Sequence, residues 1–305
     1  MDINALKAFL AVAETASFSV AAEQLHLTQP AVSKRVASLE EELNTRLFDR
    51  ISRMISLTEA GRQLLPRAQR MIYELEDIRR SISNLNGEVN GRLTMGTSHH
   101  IGLRRLPPAL KRYSRNYPEV QLDIRFMDSE TACSAVLQGD LELAIVTLPT
   151  EPIANLTTRP IWHDPLLFVV STEHPLASCR RVSLADLVSY QAVLVAKGTY
   201  TQRILERALQ PLGLSLKIGM ATNYFETLKM MVSIGLGWSL LPETMTHAPD
   251  LKVLDISELQ LSRTLGAVTH TNRSLSNAAQ AMVDACLEDA APPRDGSQEE
   301  DLIRG

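Results

Sequence analysis

A chain of 305 residues with 45% apolar and 22% charged side chains is long enough for two or three globular domains and is neither disordered nor fibrous. Its formal net charge of −4 excludes a surface coated in positive charge, so any nucleic-acid binding must come from a local patch. There is no run of eighteen apolar residues and no basic region ahead of an apolar stretch in the opening MDINALKAFLAVAE, while Cys133, Cys179 and Cys286 are odd in number and widely spaced. A cytoplasmic protein is expected, with no membrane segment, no disulfide framework, no zinc-finger spacing and thiols that are simply packed or idle.

Residues 1–57 read as short helices with short loops. Asn4 is a candidate cap for a first helix with Leu6, Phe9, Leu10 and Ala13 inward, and Ser19 for a second running through Ala21, Ala22 and Leu25. After a turn at His26-Leu27, Thr28 caps a third helix, with Pro30 tolerated in the first turn, where backbone N–H groups lack helical partners. On that helix Val32, Val36, Leu39 and Leu43 share one face, and winding at about 100° per residue puts Pro30, Ser33, Lys34, Ala37 and Ser38 opposite. A tight helix pair with a polar, basic N-terminal outer face is what insertion into a DNA major groove requires. Thr28, Gln29, Pro30, Ser33, Lys34 and Arg35 are therefore candidate DNA contacts; the bland alternative is a solvated face on a small structural bundle.

The stretch LFDRISRMISLTEAG, residues 47–61, reads as two short strands, Leu47–Asp49 and Ile55–Leu57, around a tip with Arg50, Ser52 and Arg53. That is a wing whose arginines, Arg50 and Arg53, can lie over a backbone or in a minor groove. Six basic residues (Lys7, Lys34, Arg35, Arg46, Arg50, Arg53) face seven acidic ones (Asp2, Glu14, Glu23, Glu40, Glu41, Glu42, Asp49) in residues 1–57. The sum is near zero, but the cations gather on the proposed DNA face.

Residues 58–86 form one long helical pattern with Leu64, Ala68, Met71, Leu75, Ile78, Ile82 and Leu85 in alternating steps of 4 and 3. A period of about 3.5 keeps one narrow seam facing a partner helix, so a dimerisation helix is expected, bent at Pro66. The alternative is a helix that lies on its own domain.

After Gly87 and Gly91 the pattern changes to short apolar strands, at 93–96, 120–126, 143–146, 166–170, 192–195, 216–220, 238–241 and 265–269. Helical stretches at 106–117, 131–138, 201–212, 225–234 and 278–287 separate many of them, which argues for a mostly parallel sheet flanked by helices. Residues 290–305 read as a polar disordered tail. Ligands of open parallel sheets sit beyond the carboxyl ends of the strands. Those ends carry Thr97, Ser98, His99 and His100, then Thr147, then Lys197, Gly198, Thr199 and Thr201, then Asn223. Converging hydroxyls and helix starts suit a small anion, although the same Ser and Thr residues could merely cap their helices.

Signals for catalysis are weak. The adjacent His99 and His100 diverge on most backbones and have no third ligand at metal spacing, so no metal site and no cofactor are expected. GLG at 235–237 precedes a strand rather than following one, and neither GxSxG nor GxxxxGK[ST] occurs.

The run FSVAAEQLHLTQPAVSKRVASLEEELNTRLFDR, followed by LTEAG, resembles the N-terminal domain of the LysR-type transcriptional regulators. GRLTMGTS, LELAIVT, EHPLA and SIGLGWSLLP follow in the order that family shows, so the resemblance covers nearly the whole chain. It implies an α/β protein with an N-terminal winged helix-turn-helix over 1–58, a linker helix over 59–87 and a C-terminal effector domain over 88–290, like a type 2 periplasmic binding protein. Two subdomains are implied, about 91–162 with 266–290 and about 163–265, with an effector cleft between them and a tail over 291–305. It also implies a homo-oligomer, usually a dimer of dimers, that binds interrupted palindromic promoter DNA and could address RNA polymerase. Ser98, His100 and Thr201 resemble positions where anion-sensing members hold their ligand. Peroxide-sensing members use a close cysteine pair, whereas Cys133 and Cys179 lie 46 residues apart here. The expectation is a non-catalytic regulator controlled by a small anionic effector. The alternatives are a solute-binding module whose helical head serves protein interaction and, third, a metabolic enzyme.

Overall fold

The computed structural model describes residues 1–51, 54–84 and 87–290, so the expectations placed on Ser52, Arg53, Leu85 and residues 291–305 lie outside the described residues. The chain forms two compact units, residues 1–86 and 87–305.

In the first unit, α1 (Ile3–Thr15), α2 (Phe18–Gln24) and α3 (Gln29–Glu42) bury Phe9, Val12, Ala21, Ala22, Val32, Val36 and Leu39 in one core. Asp2 and Ser17 cap the first two helices in place of the expected Asn4 and Ser19. A cap must sit in extended backbone just ahead of the first turn; Asn4 and Ser19 already lie inside it. Thr28 caps α3, its Oγ1 accepting from the Ala31 N–H at 3.4 Å. Leu43, expected on the inner face, is the residue after α3 and is 39% exposed.

The wing strands β1 (Phe48–Ile51) and β2 (Met54–Leu57) pair antiparallel. Glu40 at the end of α3 accepts from the backbone N–H groups of Leu47 and Phe48, at 2.7 and 3.2 Å, and so fixes where the wing begins. In α4 (Glu59–Asn84) Gly61 lies so close to the wing that a Cβ there would stand 2.2 Å from the Leu47 carbonyl oxygen. Ala68 and Ile72 of α4 are buried in the unit's own core with Leu64 and Leu65 against them, whereas Ile78 and Ile82 are 54% and 62% exposed. Of the expected seam, Leu64 and Ala68 are therefore covered by their own domain, Leu75 is half-buried, and Met71, Ile78 and Ile82 are exposed.

The second unit contains β3 (Gly91–Thr97), α5 (His99–Arg104), α6 (Leu106–Asn116), β4 (Val120–Phe126), α7 (Ser129–Gln138), β5 (Leu143–Thr147) and the long β6 (Leu156–Ser171). It continues with α8 (Leu184–Ser189), β7 (Ala192–Leu194), α9 (Tyr200–Leu209), β8 (Ile218–Ala221), α10 (Phe225–Ser233), β9 (Ser239–Pro242), β10 (Leu251–Val253), β11 (Leu261–His270) and α11 (Asn277–Ala290). The main sheet has the order β10-β6-β11-β5-β3-β4, with β9 also on β6, and β7 pairs β8.

The sheet is mixed rather than mostly parallel. β3 runs parallel to both β4 and β5, and β7 to β8, but β6 is antiparallel to β9, β10 and β11, and β11 to β5. The reason is that β6 and β11 are longer than their apolar cores suggest. β6 buries Trp162 with one core and Leu166 and Phe168 with another; β11 does the same in reverse with Leu261 and then Leu265 and Ala267. One strand leaves the first lobe as the other returns, and a two-way crossing must be antiparallel. At the crossing β11 shifts register between Leu265 and Gly266, where a Cβ on Gly266 would stand 2.3 Å from the Arg159 carbonyl oxygen. The short helices α5 and α8 and the strand β10 carry too few periodic positions to be legible in the sequence. Among the described residues no helix is long and apolar enough to cross a membrane.

Candidate DNA-reading face and effector cleft

The α3 helix presents a continuous polar outer surface. Thr28, Gln29, Pro30 and Lys34 are exposed and Ser33 and Arg35 half-buried, while Val32, Val36 and Leu39 point inward. Gln29 Nε2 donates to Ser33 Oγ at 3.1 Å, so two groups able to address base edges already share one orientation on neighbouring turns. Arg50 lies on β1 at the wing.

The second surface is a cleft between the lobes of the effector unit. Ser98, His99, His100, Thr147, Thr199, Thr201 and Asn223 line it together, joined by Asp128, Glu130, Phe225 and Arg263, around a space of about 40 Å³ that suits a compact polar solute. The convergence follows from the parallel strands: β3, β4 and β5 of one lobe and β7 and β8 of the other all end here. Thr97 is the exception, fully buried beneath the cleft with Oγ1 donating to the Ile145 carbonyl at 2.8 Å. Thr199 caps α9, accepting from the Gln202 N–H at 3.2 Å and donating to the Ala196 carbonyl at 2.9 Å. Ser98 precedes α5 without capping it through its side chain.

The two adjacent histidines diverge. The ring of His99 packs against Phe126 and Tyr224, whereas His100 is only 5% exposed and lies 5.5 Å from Phe225. Both His100 ring nitrogens are buried without a hydrogen-bond partner. Burial, followed by the Arg263 charge, holds its pKa down to about 3, so the ring is neutral at physiological pH.

Arg263 is the charged centre of the cleft and is not among the residues expected from the strand ends. It is 4% exposed, and its Nε donates to Asp164 Oδ2 at 2.8 Å while Arg105 donates to Asp164 Oδ1 at 3.0 Å. Arg263 Nη1 donates to Thr201 Oγ1 at 3.0 Å, its Cζ lies 4.8 Å from the Phe225 ring centroid, and its Nη2 is buried with no partner. Desolvation lowers its pKa and the Asp164 carboxylate opposes that shift. Strand-end reasoning could not find it, because β11 is antiparallel and contributes its middle. A different signal was available: in Leu261-Ser262-Arg263-Thr264-Leu265 the arginine occupies the buried phase of a period-two alternation. Asp164 does the same between Trp162 and Leu166 on β6, and the two are register partners.

Polar links ring the cleft and hold the lobes together. Asn223 Nδ2 donates to Asp128 Oδ2 at 2.7 Å, Arg104 pairs with Glu226 at 2.5 Å, Arg207 with Glu151 at 2.6 Å, and the Tyr200 N–H at the start of α9 donates to Glu130 Oε1. That helix start, expected to receive an effector anion, already carries a carboxylate of the protein. Cys133 and Cys286 are buried, and burial pushes their thiols up to about 11 and about 12, while Cys179 is exposed. Among the described residues no group of three or more His, Cys, Asp or Glu could hold a metal ion.

A winged helix-turn-helix joined to a two-lobed α/β cleft defines a DNA-binding regulator with a ligand domain. Residues 3–62 match the description "Bacterial regulatory helix-turn-helix protein, lysR family" and residues 86–291 match "LysR substrate binding domain". The chain belongs to the LysR family, whose members are transcriptional regulators that bind promoter DNA and carry an effector-binding domain, not enzymes. It is 28% identical over 282 residues to the HTH-type transcriptional regulator YbhD of Escherichia coli strain K12, which covers 92% of this chain and 89% of that protein. Full-length OxyR from Pseudomonas aeruginosa, solved as a cysteine-to-aspartate variant, shares the fold at a TM-score of 0.70 and 23% identity, covering 94% of each chain. The effector binding domain of QuiR, solved in complex with shikimate, shares it at a TM-score of 0.60 and 20% identity over 65% of this chain and 96% of that one.

The cleft chemistry makes two measurable demands on stability. Asp164→Asn leaves two guanidinium groups facing each other without a counter-charge and should lower the stability of the effector domain by about 3–5 kcal/mol, read by urea unfolding, whereas Asp164→Leu combined with Arg263→Met should recover most of that loss. His100 has a folded-state pKa of about 3 against an ordinary value of 6.5, so the unfolded chain binds the proton first. Its contribution is complete above pH 6.5 and is lost as the pH falls toward 3, about 2 kcal/mol by pH 5. Comparing unfolding at pH 7 and pH 5 in wild type and His100→Gln isolates it; equal acid sensitivity in the two proteins would remove His100 from the account.

Proposed function

We propose that the chain reads promoter DNA with α3 and senses a small carboxylate-bearing effector in the cleft. The DNA contacts are Thr28, Gln29, Pro30, Ser33, Lys34 and Arg35 on α3, with Arg50 and Arg53 of the wing flanking them. The effector contacts are Ser98, His99, His100, Thr147, Thr199, Thr201 and Asn223, with Arg263 at the centre. The observation that carries the effector reading is the unpartnered Arg263 Nη2 beside the unpartnered His100 ring, since buried donors without partners are costly unless a ligand supplies the acceptor. The shikimate complex of the similarly folded QuiR supports a small polar solute in such a domain. A ligand held by both lobes binds the closed arrangement better than an open one, and only that difference can shift the population.

The proposed division of labour is a winged DNA-binding domain over residues 1–58, a linker helix over 59–87 and an effector domain over 88–290, its subdomains about 91–162 with 266–290 and about 163–265. The bare apolar positions Ile78 and Ile82 of α4 support self-association, with a dimer of dimers as the assembly and RNA polymerase as the machinery addressed at the promoter.

The experiment is binding to a DNA fragment from the region upstream of the gene. Lys34→Ala and Arg53→Ala should weaken binding and lower the salt-dependence slope of a bound dimer by about 2 each, while Gln29→Ala and Ser33→Ala should relax base preference at about 1–3 kcal/mol for each base interaction removed. Wild-type affinity and slope in all four variants would show that α3 is not the reader. Replacing Ile78 and Ile82 by glutamate should yield smaller species in sedimentation and reduced operator affinity; an unchanged size distribution would mean that these positions face no partner helix.

A further inference from the structure

The lining of the cleft carries both signs of charge. Arg263, with Arg105 and Asp164 behind it, sums to a net positive charge, and Arg263 Nη2 and both nitrogens of the neutral His100 have no partner. Arg263 and His100 are 4% and 5% exposed, so these groups are withheld from solvent and turned toward the cleft. The same lining also carries acidic groups. Asp128 and Glu130 both line the cleft, and each accepts one hydrogen bond from a neutral donor, Asn223 Nδ2 and the Tyr200 N–H respectively. Neither carboxylate belongs to an ion pair among the described residues, whereas Glu226 and Glu151, which link the two lobes, pair with Arg104 and Arg207.

A simple anion would accept from Arg263 and from the one ring N–H of His100 and then meet two uncompensated carboxylates in a space of about 40 Å³. A simple cation would satisfy the carboxylates and meet the buried guanidinium. A molecule with both charges satisfies both kinds of group without burying an unpaired one. We propose that the effector is a small amino-carboxylate, its carboxylate held by Arg263, His100 and Ser98 and its ammonium group by Glu130 and Asp128. The assignment rests on the reading that this cleft is the effector site. Closure then has a physical source: Ser98, Asp128 and Glu130 belong to one lobe, whereas Arg263, on the crossing strand, is tied to Thr201 of the other.

The test is calorimetric titration of the full-length protein with the twenty common L-amino acids, β-alanine and γ-aminobutyrate. Each is run beside its des-amino carboxylate and its carboxamide. The expected result is binding by at least one amino-carboxylate, with removal of either the amine or the carboxylate weakening it at least tenfold. Glu130→Gln with Asp128→Asn, which keeps the Asn223 and Tyr200 hydrogen bonds possible, should weaken the amino-carboxylate at least tenfold and leave the des-amino carboxylate equal or tighter. Ser98→Ala and Arg263→Lys should weaken both.

Equal or tighter binding of a des-amino carboxylate by the wild type, still abolished in Ser98→Ala and Arg263→Lys, overturns the amino-carboxylate assignment and leaves the cleft as the effector site. Binding that none of these variants alters overturns the cleft reading itself. No binding by any amino-carboxylate in the panel also overturns the assignment.

Discussion

The effector unit is organised around the ion pair between Arg263 and Asp164. The two residues are cross-strand partners on β11 and β6, the strands that pass through both lobes, and both side chains are almost wholly removed from water. A buried charge pair needs further hydrogen-bond partners, and here those present come from separate parts of the chain and leave Arg263 Nη2 unmet. Arg105 reaches Asp164 from the junction of α5 and α6, Thr201 receives Arg263 from the first turn of α9, and Phe225 at the start of α10 lies beneath the guanidinium. Lobe orientation and cleft charge are therefore set by the same group of side chains. A ligand that engages the remaining nitrogen of Arg263 acts directly on the crossing between the lobes.

Around this centre the two lobes are joined by links of a different kind. The pairs Arg104–Glu226 and Arg207–Glu151 are exposed, and exposed ion pairs contribute little individually and weaken with salt. The hydrogen bonds of Asp128 with Asn223 and of Glu130 with the Tyr200 N–H lie on the cleft itself, where an effector would compete with or complete them. A buried, fixed centre with a weakly latched rim is suited to a population shift, because the rim joins the lobes only weakly and a ligand that engages both of them adds the differential affinity.

The DNA-binding unit uses rigidity in another way. Glu40 ties the end of α3 to the start of the wing, and the close approach of Gly61 to Leu47 ties the linker helix to the same point. The α3 helix, wing and linker thus meet at Leu47 and Phe48, so their relative geometry within this unit is set by contacts to the backbone there. The outer side chains of α3 can then remain polar at no cost to the core behind them.

Much of this was legible in the residues themselves. Thr28 before Gln29-Pro30, the inward face of Val32, Val36 and Leu39, and the wing over LFDRISRMISL are local patterns, and local patterns survive folding because helix periodicity and capping are decided within a turn or two. Strand ends at Ser98, Thr147, Thr201 and Asn223 pointed to the cleft because parallel strands bring their carboxyl ends to one edge. The sequence could not say that β6 and β11 cross between lobes, that Leu64 and Ala68 of the linker seam are covered by their own domain, or that Arg263, Asp164 and Arg105 form the charged centre. Those facts depend on which distant segments meet. The alternation along each strand places Arg263 and Asp164 in the buried phase, but their pairing arises only when residues 99 apart in the chain are brought to 2.8 Å by two antiparallel strands.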